Sequence, residues 1–430
     1  MEVFDHAELE IVDYDHRGRG IGKVDGAVVF LDGGHIGDVV EVEITKKKKR
    51  FYEAHILRTL IKSALRAKNP CPYTDCGGCA FLELSREAEL AWKKKRIEDA
   101  LARIGDEPTH VEDVLVRGGD SAYRNHMQFH VRDRKLCLYG KNGESVSVKR
   151  CMMQTDSGNR ILFALTGQKF LDALSFVGIR TNRAGEVLLI LVGDQPLREK
   201  TKTAAVAFAV EHGVSGLYYS ERKSKKGHYG ERLTHIYGKA AITEELAGYR
   251  YGIAGTNFFQ VNPEGAEAII RGVADAVKGA DTVVELYSGI GMITLPLHEE
   301  AKEVVGVEIS ADSVDYARKT AEANGVKNVR YIAGAAEDIL PRLVEEGPID
   351  VIVCDPPRAG LHETVVKSIQ EAAPASVIYV SCNPATLARD IRLLGDAYRV
   401  EHVQPIDMFP RSAHVESIIL MTYCGLESEK

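Results

Sequence analysis

Two groups of thiols carry the chemistry this chain could do. Cys382 follows the apolar run Val377-Ile378-Tyr379-Val380, which predicts a buried strand bringing a thiol to its carboxyl end. Open α/β sheets bind ligands at that edge, so Cys382 is a candidate nucleophile toward electrophilic carbon. The competing role is a small buried hydrophobe, which is the reading given to Cys137, Cys354 and Cys424. The second group is Cys71, Cys76 and Cys79, three thiols within nine residues, where Gly77-Gly78 lets the loop curl toward one centre. Cys151 is the natural fourth ligand. A cytosolic enzyme is not expected to form disulfides, and four thiolates suit zinc or an iron-sulfur cluster. Three cysteines plus a remote one, rather than paired C-x-x-C knuckles, favour the cluster.

The elements that must position these groups alternate strand and helix. Thr282–Leu286 reads as a strand running into the turn Tyr287-Ser288-Gly289-Ile290-Gly291, with a helix expected from about Ile293. This turn is not G-x-G-x-x-G, and Glu285 precedes the glycines, which points to an adenosyl ligand without a pyrophosphate. A second strand ends at Glu308, about 20 residues on, where a carboxylate can accept both ribose hydroxyls. After a helix over 311–324 come strands at Val329–Ala333 and Ile349–Cys354. The latter leads into Asp355-Pro356-Pro357-Arg358, and the Cys382 strand and Glu416–Met421 complete the set. Such alternation predicts a doubly wound, Rossmann-like parallel sheet over residues 256–430.

Two domains are expected upstream. Residues 1–60 hold five short strands, 7–12, 20–24, 27–31, 38–44 and 51–57, with an Asp25-Gly26 hairpin turn. They predict an OB-type barrel, a platform for nucleic acids, with contacts from Arg17, Arg19 and the exposed Lys46-to-Arg50 hairpin. Residues 61–255 predict a mixed α+β domain bearing the cysteines and closing over the substrate. Within it Tyr123, Arg124, Asn125 and Gln128 offer a polar strand face to splayed bases. Lys93-Lys94-Lys95-Arg96 is either an RNA contact or a solvated helix face, and the helix over 86–104 either stays in this domain or packs on the catalytic one.

The net charge of −7 hides a division: −3 over residues 1–60, +8 over 61–250 and −12 over 251–430. Phosphate binding needs a local basic face rather than a basic protein, so RNA is expected on the first two-thirds. No 18-residue apolar run and no basic leader followed by an apolar stretch occur. A soluble, cytoplasmic monomer with no obligatory protein partner and no membrane contact is therefore expected.

The ordered motifs Phe258-Phe259-Gln260-Val261-Asn262, Glu285-Leu286-Tyr287-Ser288-Gly289, Asp355-Pro356-Pro357-Arg358-Ala359-Gly360, Ser381-Cys382-Asn383-Pro384 with Arg389-Asp390, and Asp407-Met408-Phe409-Pro410 running to His414-Val415-Glu416 resemble the RNA uracil-C5 methyltransferase family of class I S-adenosylmethionine enzymes. The first domain looks like the TRAM domain that family often carries. Ser288 stands where the family commonly has cysteine and Met292 where it often has asparagine. The resemblance implies an α/β methyltransferase fold, S-adenosylmethionine held by Gln260, Tyr287, Glu308 and Asp355, and a 4Fe-4S cluster on Cys71, Cys76, Cys79 and Cys151. Cys382 becomes the nucleophile and Glu416 the general base. All four cysteines serving as ligands leaves no open iron for radical chemistry with the cofactor.

Uracil itself then dictates the order of events. Carbon 6 is conjugated to the carbonyl at carbon 4, so thiolate attack there makes carbon 5 nucleophilic, methyl transfer follows, and a base removes the carbon 5 proton so that the thiolate can leave. A structured RNA must present its base flipped or from a loop. The expected substrate is a uridine of 23S rRNA, with tRNA, cytosine-C5 methylation and non-catalytic RNA binding as alternatives.

Overall fold

The computed structural model describes residues 1–425 except 142, 224–228, 231 and 256. Residue 256, where the third domain is expected to begin, lies outside the described residues. The chain forms two compact units, one of residues 1–93, 138–146 and 409–414, the other of the remainder.

The first unit is built on a six-stranded sheet of His6–Glu10, Asp13–Tyr14, Gly20–Val24, Ala27–Leu31, Val39–Lys47 and Phe51–Ile61. Alternate residues of the fifth strand, Val40, Val42 and Ile44, pack with Leu9, Ile11, Val29 and Leu31, as period-two burial requires. Asp25 and Gly26 both have positive φ (50° and 79°), the geometry of a tight hairpin turn. Three register shifts between the last two strands bend that pair. A second apolar cluster joins Tyr14, Phe81, Leu84, Trp92 and Ala413.

The Lys93 cluster departs from both expectations. Lys93 is fully buried, its Nζ donating to Glu89 Oε1 at 2.7 Å and to the Phe409 carbonyl at 3.1 Å. Lys94 pairs with Asp113 and Lys95 with Asp99. These three lysine charges are thus spent on acids within the chain.

In the second unit the C-terminal sheet, the one expected to be catalytic, comprises β1 (Ala280–Leu286), β2 (Ala301–Glu308), β3 (Val329–Ala333), β4 (Val351–Cys354), β5 (Ser376–Ser381), β6 (Tyr398–Ile406) and β7 (Glu416–Tyr423), in the order β3-β2-β1-β4-β5-β7-β6. The first five are parallel and, as buried parallel strands do, read as near-continuous apolar runs. β7 runs antiparallel between β5 and β6, so the sheet is not wholly parallel. The sequence reading missed β6 because Glu401, His402 and Gln404 interrupt its apolar pattern. The helix expected from Ile293 is instead a series of turns ending in a short 3-10 segment, Pro296–Glu299. Pro296 has no N–H to bond the Met292 carbonyl, and the Tyr251 hydroxyl takes that carbonyl at 3.2 Å.

Ile97, Ala100 and Leu101 belong to the same core as Val284, Val305, Ile352 and Tyr379. The C-terminal part of the helix Arg86–Ala100 and the turn after it therefore pack on the catalytic sheet. A second sheet of this unit contains His126–Arg132, Phe176–Thr181, Val187–Gly193, Gly216–Glu221 and Arg232–Gly238. Tyr123 and Asn125 are buried, so of the four residues expected on one polar face only Arg124 and Gln128 share it. Cys137 and Cys354 are buried as expected, whereas Cys424 is exposed beside the chain end.

Candidate active site

The parallel strands end level with one another. Register pairs Leu286 with Val307 on one side and with Cys354 on the other, so residues just past these positions gather at one edge. Glu285 is buried beneath that edge and accepts from the Thr294 hydroxyl. Burial lifts its carboxyl to about 8, with Asp355 and Glu308 nearby pushing the same way and the Thr294 bond opposing. Tyr287 has a positive φ of 66°, and its ring packs against the catalytic core.

Glycine is needed at 289, where φ is +55°, and an added Cβ there would point into open space. The Gly289 N–H donates to Glu308 Oε2 at 3.0 Å and the Ser310 N–H to Oε1 at 2.8 Å. Glu308 is thereby oriented at the mouth of this space by two backbone amides, with a lone pair still free on each oxygen. The buried Ser288 hydroxyl has no hydrogen-bond partner. The acids Glu285, Glu308 and Asp355 gather at this strand edge, which suits a ligand with cationic groups and ribose hydroxyls, as S-adenosylmethionine has.

Asp355 follows β4, and burial alone lifts its carboxyl to about 7. The loop behind it is fastened by Asp390, a fully buried acid that accepts from the Leu361 N–H at 2.8 Å and the Tyr379 hydroxyl at 2.7 Å. Arg389 pairs with Asp390 and donates to the Ala359 carbonyl at 2.9 Å. From the other side Asn383 Nδ2 bonds the Arg358 carbonyl at 2.9 Å. Arg358 is thus fixed in backbone, with its guanidinium beside Cys382 and Glu416.

Antiparallel β7 brings those two residues together. Ser381 on β5 pairs with Ser417 on β7, so the next pair outward is Cys382 opposite Glu416. Residues directly opposite in such a ladder have Cβ atoms about 5 Å apart. Burial pushes the Cys382 thiol up, Glu416 and Asp355 add to this, and Arg358 opposes it. Glu416 is buried, which holds its carboxyl well above the usual range; Asp355 raises it further and Arg358 again opposes. Thiol, carboxyl and one compensating cation therefore share a corner that is short of water.

Gln260 is buried next to the helix Pro263–Val277, which Asn262 caps by accepting from the Gly265 N–H. Its backbone carbonyl accepts from Asn125 Nδ2 at 3.0 Å. The expected site residues of this unit thus fall on the catalytic strand edge or on the segment entering the helix beside it. Arg358 and Asp390 were missed as individual site residues. Asp390 left a signal, an acid inside the apolar stripe Leu387, Ile391 and Leu394 of its helix.

The cysteines are a different case. Cys71 lies near enough to Cys76 to raise its thiol further above the level set by burial, and the Gly78 N–H points at Cys76 Sγ at 3.5 Å. An all-thiol set suits a soft metal or cluster. Among the described residues, however, no three His, Cys, Asp or Glu side chains converge closely enough to hold a metal ion. Cys71, Cys76 and Cys79 lie in the first unit and Cys151 in the second.

Comparison with known proteins matches these features. The tRNA (uracil-5-)-methyltransferase family model covers residues 234–423, and the TRAM domain model covers residues 2–57. A Clostridium tetani protein named as an uncharacterized RNA methyltransferase is 33% identical over 442 residues, covering 97% of this chain and 96% of the relative. One from Halalkalibacterium halodurans is 32% identical over 443 residues, with 97% of each chain covered. The Pyrococcus abyssi tRNA (uracil-54, C5)-methyltransferase, solved with S-adenosyl-L-homocysteine, shares the fold with a TM-score of 0.78 at 24% identity, over 97% of this chain and 100% of that one. Among the described residues no helix is long and apolar enough to cross a membrane.

Proposed function

The chain belongs to the S-adenosylmethionine-dependent RNA uracil-5 methyltransferase family, and from that premise we propose that it methylates carbon 5 of a uridine in structured RNA through a covalent bond between Cys382 and carbon 6. The observation that carries this is the ladder position of Cys382 opposite Glu416, beside Asp355 and Arg358. Gln260, Tyr287, Glu308 and Asp355 would hold the cofactor, which supplies an electrophilic methyl group when bound.

Arg358 stabilises the Cys382 thiolate against the burial that opposes it. The thiolate adds to carbon 6, and the electron pair passes to carbon 5 and the carbon 4 carbonyl. Carbon 5 then gains the methyl group while keeping its own proton. Glu416 removes that proton, the carbon 5–carbon 6 double bond re-forms, and Cys382 leaves as thiolate. Burial makes Glu416 a stronger base than an exposed glutamate, with a smaller ionised fraction at neutral pH.

The substrate is expected to dock partly on the first unit. There Arg17, Lys48, Lys49 and Arg50 form no ion pair among the described residues, whereas Arg19 pairs with Asp15, Lys46 with Glu53 and Lys47 with Glu2. Cys71, Cys76, Cys79 and Cys151 would hold a 4Fe-4S cluster with a structural role. The matched family and the Pyrococcus abyssi enzyme are both named for tRNA, which sets tRNA beside 23S rRNA as target. Transfer of labelled methyl from S-adenosylmethionine to each RNA, followed by nucleoside analysis, tests the proposal. 5-Methyluridine is expected; label only in 5-methylcytidine, or in no RNA at all, would overturn it.

A further inference from the structure

One face of the second unit's second sheet carries arginines that no acid pairs among the described residues. Register pairs His126 with Arg180 and Gln128 with Gly178, so these residues share a face with Arg124, two positions ahead of His126. Arg180 is buried, and burial pulls its guanidinium down to about 10, still charged at neutral pH. Its Nη1 donates to the Ala254 carbonyl at 2.6 Å and to Asn257 Oδ1 at 3.0 Å, and its Nη2 meets His126 Nδ1 at 3.4 Å. All three partners are neutral. Arg124, partly exposed, keeps a buried Nε without an acceptor. Burial and the two guanidinium charges hold His126 well below its ordinary value, and so neutral; its Nε2 meets the Tyr229 hydroxyl at 3.0 Å. Gly178 is required beneath that hydroxyl, since an added Cβ would come within 2.6 Å of it.

Among the described residues no ion pair is formed by Arg124 or Arg180, and no carboxylate contributes to the titration of His126, Arg180 or Tyr229. Buried cations in proteins are ordinarily paired, and the described residues of this face supply no anion for these two. The cluster also adjoins the active site. Asn257, which Arg180 holds, lies three residues before Gln260, and Asn125, next to Arg124, holds the Gln260 carbonyl.

We infer that Arg124 and Arg180 form a phosphate subsite that takes one backbone phosphodiester of the RNA strand beside the target nucleotide. Arg124 touches the phosphate, and Arg180 lies behind it as a second, fixed positive charge. A guanidinium presents its donors as a planar fork suited to phosphate oxygens, and RNA supplies one such anion per nucleotide. This inference rests on RNA being the substrate.

The test uses the full-length protein and a uridine-bearing RNA hairpin, with affinity followed across a range of KCl concentrations and thermal melting as the check on folding. Arg124→Gln should weaken binding about tenfold and lower the slope of log Kd against log salt by about one. Arg180→Lys should keep the slope, and Arg180→Gln should lower it by about one. If Arg180→Gln does not fold, RNAs with a neutral methylphosphonate at each position in turn carry the test. One position should weaken binding to the unaltered protein and make no difference to Arg124→Gln. A folded Arg124→Gln protein with unchanged affinity and slope, or no such silent position, overturns the subsite. Binding through these arginines without methyl transfer to any uridine RNA would instead overturn the functional reading and leave the subsite standing.

Discussion

Cys382 with Glu416 and the Cys71–Cys79 loop are both sets of reactive side chains, but the fold holds them by different means. Cys382 and Glu416 extend a hydrogen-bonded ladder between β5 and β7, and the Asp355 loop beside them is fastened by Asp390 and Asn383. The cysteine loop is tied by the Gly77 N–H to the Tyr139 carbonyl at 3.0 Å and by a backbone bridge from Cys76 to Gly140. A sheet edge can place catalytic groups without their ligands, whereas a loop of thiols depends on its metal for the last step of folding.

Removing the proposed nucleophile should have the largest effect. Cys382→Ala is expected to lower methyl transfer by on the order of 10⁴-fold or more, with S-adenosylmethionine binding by calorimetry nearly unchanged. Appreciable turnover would break the covalent account. At the loop, protein purified without oxygen should be brown and carry about four irons per chain, and Cys76→Ser should lose iron and melt at lower temperature. One zinc per chain and no iron would leave the thiol set in place but change its occupant.

The buried carboxyls sharpen the contrast through pH. Asp355 at about 7 and Glu285 at about 8 hold protons in the folded protein that the unfolded chain releases near its ordinary carboxylate values. The unfolded state therefore binds fewer protons across that window, and stability should fall as pH rises through roughly 5 to 8. Glu285→Gln should flatten the fall in melting temperature. Because the ionised acids face a cationic ligand, affinity for S-adenosylmethionine should rise over the same window. A melting temperature independent of pH would contradict these burial effects. The smallest expected effect is Asp390→Ala, costing about 2–4 kcal/mol by denaturant unfolding through the lost bonds to Leu361, Tyr379 and Arg389, with a larger loss in activity than in cofactor binding.

What was legible in the sequence follows from the same physics. Val351–Cys354 and Val377–Val380 could be read because buried parallel strands are unbroken apolar runs. The five barrel strands were found because they are short apolar runs set off by turns such as Asp25-Gly26. β6 was missed because its polar residues break the run, and the helix expected after the glycine turn was stopped by Pro296. Lys93 looked solvated among its charged neighbours, since nothing local shows that Glu89 is buried one turn away. Arg358 stands in the quoted motif, but its position over Cys382 comes from the Asp390 clasp. The pairing of His126 with Arg180 is a matter of register between strands some 50 residues apart, which no local pattern reveals.

The central claim is that Cys382 and Glu416 act at successive steps on one covalent adduct. Glu416→Gln protein incubated with labelled S-adenosylmethionine and uridine-bearing RNA tests it directly on a denaturing gel. The account predicts a denaturant-resistant protein–RNA band carrying the methyl label, absent from Cys382→Ala and from the double variant, with product release slowed about a hundredfold or more. Turnover of Glu416→Gln near the normal rate with no labelled band would contradict it.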